Sequence, residues 1–198
     1  MNFLAVDIVL LPPKDVTDKI ISFTSNLPDA STHLNNSDCL PHISLAMGII
    51  EEGNLKEASG ILQRVAGQSK SQLIIVEETE SYKTPDGKDF SHMLVKPTDE
   101  LIELHLEIME AFRPLLSHSN VQTNMFVSPP TVAEVSTHWV KHYYDKSSPK
   151  DYHPHITLGE GLAGKLSEPF MFKSNDLALC HLGTYCTCRK LIAEVSLS

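Results

Sequence analysis

Positive charge is scarce in this sequence. Across 198 residues, 16 Lys and Arg face 25 Asp and Glu, a formal net charge of -9. Binding a long nucleic acid needs a basic footprint that displaces counterions, so that partner class is excluded. A small or terminal anion in a local positive pocket stays compatible with the balance. No apolar run approaches the roughly 20 residues of a membrane span, so no membrane partner is expected. The opening stretch MNFLAVDIVLLPP is apolar, but Asp7 interrupts it. It also lacks a basic n-region and a small-residue cleavage site, so it reads as a buried first strand and not as a signal peptide. Cysteine is sparse: Cys39, Cys180, Cys186 and Cys188. Their irregular spacing suggests neither a disulfide framework nor a C-x₂₋₄-C zinc site, and a reduced cytoplasmic protein is the expected setting. A G-x-S-x-G elbow is lacking too, which removes support for a nucleophilic serine.

What remains is an ordinary globular composition, 41% hydrophobic and 21% charged, long enough to bury a sizeable core. Phe3 to Leu11 is β-rich and ends at Pro12-Pro13. Val16, Ile20, Phe23 and Leu27 then recur at helical spacing. A polar loop over DASTHLNNSD leads to a strand from His42 to Ile50. Asn54, with Glu57 three residues on, reads as a capping box for a helix burying Leu55, Ala58, Leu62 and Val65. Residues 72–80 read as a strand, as does SHMLVKP. Thr98 is placed to cap a helix whose apolar face carries Leu101, Leu104, Ile108, Phe112 and Leu115. After a loop over about 117–130 and a helix over 131–145 comes another strand, ending at Gly159 and Gly161, with closing strands at 168–173, 177–184 and 190–197. The order strand–helix–strand recurs in both halves. It predicts one α+β domain over residues 1–198, built of two similar lobes.

The chain also repeats itself in letters. Residues 41–45 read PHISL and residues 154–158 read PHITL. H-x-[ST] alone is expected roughly 1.6 times by chance and carries nothing; the five-residue match carries more. On a strand, residues i and i+2 share a face, so His42 projects with Ser44 and His155 with Thr157. Two such strands across a cleft place two imidazoles and two hydroxyls around one point. That set suits a phosphodiester. One imidazole takes a proton from the attacking oxygen, the other gives one to the leaving oxygen, and the hydroxyls hold the non-bridging oxygens. Imidazole titrates near neutrality, so the chemistry needs no metal and no cofactor is called for.

The pair His42-Ile43-Ser44-Leu45 and His155-Ile156-Thr157-Leu158 resembles the tandem H-x-[ST]-x signature of the 2H phosphoesterase superfamily, which includes the RNA-ligase-like 2′,3′-cyclic nucleotide phosphodiesterases. The resemblance implies a bilobal α+β fold, with pseudo-symmetric, mainly antiparallel sheets lining a central cleft and helices outside. It implies metal-independent cleavage of a 2′,3′-cyclic phosphate or a related cyclic or 2′-5′ phosphodiester, with His42 and His155 catalytic and Ser44 and Thr157 on the phosphate. Expected partners are a small cyclic nucleotide or the 2′,3′-cyclic phosphate end of an RNA, taken by a monomer. Residues about 117–145 have no place in the minimal pattern, and insertions of this kind often line a cleft mouth.

Other constellations compete. His138 and His142 share a helix face and His153 and His155 a strand face, so a zinc-dependent hydrolase is the first rival. Yet Trp139 stands where a zinc-protease motif puts its general-base Glu. A non-catalytic nucleotide or RNA-end binding module is the second rival. Candidates for stacking on a base are Tyr152, Tyr185 and Phe126. Arg189 and Lys190 are candidate phosphate contacts by their place near the last strand. His105 sits by an apolar helix stripe and is expected to be structural. His33, His92 and His118 carry no signal.

Overall fold

The computed structural model describes residues 2–28, 32–147 and 151–198. The expected loop therefore has Asp29, Ala30 and Ser31 outside the described residues. In chain order the elements are β1 (Phe3–Leu11), α1 (Lys14–Thr24), β2 (Ile43–Glu51), α2 (Leu55–Ala66), β3 (Gln72–Lys83), β4 (Asp89–Val95), α3 (Asp99–Phe112), α4 (Glu134–Lys146), β5 (His155–Glu160), β6 (Phe170–Ser174), β7 (Asp176–Leu182) and β8 (Cys188–Ser196). The strands make two four-stranded antiparallel sheets, ordered β2-β1-β7-β8 and β5-β4-β3-β6. The class is α+β. The first sheet takes its strands from both ends of the chain, whereas the second is one stretch interrupted by α3 and α4.

Strand alternation distributes the apolar residues. In β1, Val6, Ile8 and Leu10 enter the main core, which also holds Ile43 and Leu45 of β2, Ile74 and Val76 of β3, Met93 of β4, and Ile156 and Leu158 of β5. The opposite face of β1 carries Ala5, Asp7 and Val9. Ala5 packs there with Phe126, Val140 and Leu182. Thr98 caps α3 as expected, its hydroxyl accepting from Leu101 N–H at 3.3 Å. The expected capping box at Asn54 does not form: its side chain makes no cap bond. A 3₁₀ turn over Glu52–Asn54 runs straight into α2 and leaves no extended residue to cap.

The cysteines depart from expectation. Cys180 and Cys188 form a disulfide across the β7–β8 hairpin, while Cys39 and Cys186 are buried thiols. The 3₁₀ turn at Thr184–Cys186 folds the hairpin back, so that positions eight apart in sequence lie with Cα atoms 5.7 Å apart, within disulfide reach. No helix among the described residues is long and apolar enough to cross a membrane.

Candidate functional site

The repeated pentapeptide builds the same local structure twice. His42 Nδ1 lies 2.8 Å from the carbonyl of Leu40, and His155 Nδ1 lies 2.9 Å from the carbonyl of His153. A carbonyl only accepts, so each Nδ1 carries a hydrogen and donates, and each neutral ring keeps its lone pair on Nε2. In both cases the bond spans a proline, Pro41 or Pro154, whose fixed φ holds that carbonyl in place. Just past the hydroxyl residue each strand bulges. Val9 pairs with Ser44 and Ile8 with Ala46, leaving Leu45 extra; His92 pairs with Thr157 and Ser91 with Gly159, leaving Leu158 extra. Both leucines are fully buried. Proline braces, isoleucine and leucine anchor, and the bulge re-aims the side of the strand that carries the hydroxyl and imidazole.

His42, Ser44, His155 and Thr157 all line one cleft of about 350 Å³, a volume that suits a nucleotide-sized ligand. Burial depresses His42 below the usual imidazole range, the Leu40 carbonyl opposing it. Burial also pulls His155 down to about 4; its bond to the His153 carbonyl opposes this, and the imidazoles of His92, His42 and His153 add to it. Both rings are therefore neutral near pH 7.

Sequence reasoning passed over several residues of the site. His92 faces the cleft from β4, with its ring 4.9 Å from that of His155 and 5.0 Å from that of Tyr82. Asp7 lies fully buried behind the first motif. Its Oδ2 lies 2.6 Å from Ser44 Oγ and 3.9 Å from His42 Nε2. A lone carboxylate inside an apolar strand was the readable signal for Asp7. His92 had none, because its place depends on register with β5.

Residues about 117–145, unplaced by motif logic, contribute a cleft wall. No residue of α1, α2 or α3 lines the cleft, whereas α4 brings His138, Trp139, His142, Tyr143 and Lys146 to it. The expectation of helices outside the cleft thus fails for α4, whose buried Val140 anchors it against the β1–β2 face. Beside it an aromatic wall of Tyr82, Phe90, Trp139 and Tyr185 forms, the rings of Phe90 and Tyr185 lying 4.6 Å apart. Tyr185 and Cys186 hold φ of 53° and 56°, left-handed backbone that non-glycine residues rarely adopt. The Ser136 hydroxyl of α4 accepts from Tyr185 N–H at 2.8 Å and secures this turn.

The other candidates take other roles, although Tyr152 also lines the cleft. One face of Tyr152 is stacked on His105, with centroids 3.8 Å apart, and its hydroxyl donates to the Ser44 carbonyl at 2.9 Å. It is a strut beneath the first motif, with that face closed to a base. Phe126 is in the apolar cluster under α4, outside the cleft lining. Arg189 and Lys190 do not line the cleft either; Arg189 Nε donates to Thr187 Oγ1 at 2.9 Å. His105 is structural as expected, its two ring nitrogens facing the carbonyls of Leu45 and Ser147 at 2.7 and 2.9 Å. The rival zinc set is not assembled. His138 and His142 are adjacent, with centroids 4.6 Å apart, but among the described residues no three metal-ligating side chains converge.

Comparison with known proteins places the fold. Neither a family model nor a curated protein matches the chain. Among solved structures, TT0787 of Thermus thermophilus superposes with a TM-score of 0.64 at 12% identity, covering 98% of both chains. Escherichia coli LigT in complex with 3′-AMP gives 0.55 at 14% identity, covering 100% of this chain and 99% of that one. A crystal structure described as a phosphoesterase gives 0.51 at 14% identity, covering 98% and 99%. At these identities the likeness is one of fold, and it runs the full length of the chain.

Proposed function

We propose that this chain is a 2H-type phosphoesterase that opens a nucleoside 2′,3′-cyclic phosphate, or a kindred cyclic or 2′-5′ phosphodiester, by general acid–base catalysis. The observation that carries the reading is the matched state of His42 and His155. Each is braced through Nδ1 by the carbonyl two residues back and faces the same cleft with Nε2 as its free nitrogen. One imidazole draws the proton from the attacking water while the other, protonated, gives its proton to the departing ribose oxygen. Ser44 and Thr157 donate to the non-bridging oxygens, where the negative charge resides. The aromatic wall supplies faces for a base. The fold shared with LigT, a protein crystallised with 3′-AMP, supports a small nucleotide as the ligand class.

The test is hydrolysis of a panel of nucleoside 2′,3′-cyclic phosphates and 2′-5′ dinucleotides after exhaustive chelation. Turnover that survives chelation and is lost in His42→Ala and His155→Ala supports the reading. Activity abolished by chelation and restored by zinc would move the assignment to a metal-dependent hydrolase. Tight nucleotide binding without turnover of any substrate would make the chain a binding module.

A further inference from the structure

Ser44 presents a difficulty for the reading just given. A hydroxyl has one hydrogen, and at 2.6 Å from Asp7 Oδ2 that hydrogen points away from any phosphate if the carboxyl is an anion. A Ser44 spent in this way is no donor to substrate.

The surroundings of Asp7 resolve it. Its side chain is completely buried, and Oδ1 has no hydrogen-bond partner. The groups facing it are Ser44 and the Ala46 backbone from β2, His42 just before β2, Tyr143 from α4, Tyr152 from the segment before β5, and Cys186 from the turn after β7. Among the described residues its sole ion-pair partner within 4 Å is His42, at 3.9 Å, and that ring is itself held neutral by burial. A carboxylate here would be an anion without a counter-ion and with an orphaned oxygen, the costliest state for a buried acid. Burial accordingly pushes the Asp7 carboxyl well above the ordinary range, against the opposing bonds from Ser44 and Ala46.

We propose that Asp7 is a positioning residue that works as a neutral acid: its carboxyl O–H donates to Ser44 Oγ, which frees the Ser44 hydrogen to donate to a non-bridging phosphate oxygen. The proton chain runs from Asp7 to Ser44 to phosphate, and no proton is transferred along it. Asp7 thereby fixes the direction of the hydrogen bond and Ser44 delivers it. This rests on the phosphoesterase reading for its last link only; the protonation of Asp7 stands apart from it.

The experiment uses Asp7→Asn, whose amide keeps an N–H donor for Ser44 without charge, and Asp7→Leu, which keeps the volume and removes the donor. Because the folded protein holds this proton more tightly than the unfolded chain, wild type loses stability as pH rises above the ordinary carboxyl range. Asp7→Asn, which does not titrate, should match wild type in Tm near pH 4.5 and exceed it by several degrees at pH 8. The ¹³C carboxyl resonance of Asp7 should keep its protonated position through pH 7. Asp7→Asn should retain kcat/KM for a 2′,3′-cyclic phosphate within about threefold, while Asp7→Leu and Ser44→Ala should each lose about 10–100-fold. The Asp7→Leu/Ser44→Ala double variant should be no worse than Ser44→Ala alone. A carboxylate resonance at pH 7, or Asp7→Asn less stable than wild type at pH 8, overturns the proposal and makes Asp7 a charged partner of His42. If wild type neither turns over any cyclic phosphate nor binds inorganic phosphate, the phosphoesterase reading fails and with it the last link, while the Tm series and the resonance still decide the state of Asp7.

Discussion

If the proposed reaction holds, both imidazoles start neutral, so the one that serves as general acid must gain its proton when the anion arrives. The phosphate supplies the opposite charge that burial denies the empty site, and that raises the affinity of one ring for a proton. Binding of inorganic phosphate near pH 6.5 should therefore take up protons. Titration calorimetry in buffers of different ionisation enthalpy should read up to one; none would mean the anion does not meet the pair. The sign extends to kinetics. The free-enzyme values are low, so kcat/KM should fall as pH rises through neutrality. The bell of kcat, which reports the complex, should be centred at higher pH. His42→Ala and His155→Ala should each lower kcat by about 10²–10⁴-fold. Thr157→Ala, losing one phosphate bond, should cost about 10–10³-fold. Stability carries the same signature: His155 is depressed from 6.5 to about 4 on folding, so its contribution is complete above 6.5 and is lost as pH falls towards 4. A Tm that is flat across that window would contradict the depressed value.

At the scale of elements, α4 separates this cleft from a bare pair of motifs. His138, His142 and Lys146 lie one helical turn apart in succession and all reach the cleft. Lys146 is exposed, so its charge would reach an incoming anion through a screened field, while the two imidazoles would offer it hydrogen bonds. Lys146→Ala and His142→Ala should raise KM several-fold at low salt and leave kcat within about twofold; an unchanged KM would place α4 outside the substrate's path. The elements themselves were largely legible, since β1, β2, α2, α3 and the closing strands follow from period-2 and period-3.6 spacing. So was the pairing of His42 with His155 in one cleft, because its signature is local and repeated. What escaped was whatever depends on a second strand. The cleft seat of α4 follows from Val140 packing on the β1–β2 face, His92 from its pairing with Thr157, and the partner of Cys180 from a turn that reverses β7 onto β8. The bulges at Leu45 and Leu158 were hidden too, although the two leucines were in plain view.

At the scale of the whole molecule, the two sheets share one continuous core but differ in how the chain makes them. The β7–β8 disulfide closes a loop of eight residues' separation, a cross-link worth about 2–3 kcal/mol. Reductant, or Cys180→Ser, should lower Tm by several degrees and spare kcat, because neither sulfur lines the cleft. An unchanged Tm would show that the bridge does not form in solution. Because β1 has β2 on one edge and β7 on the other, the strand that follows His42 belongs to a sheet that waits for β7 and β8. On the ribosome, the β5-bearing sheet can close once residue 174 has emerged, while the first sheet stays one-sided until β7 and β8 arrive. Of the two motif histidines, the first made is therefore the last to be seated, and a nascent or C-terminally clipped chain lacks a finished cleft until β7 and β8 are in hand.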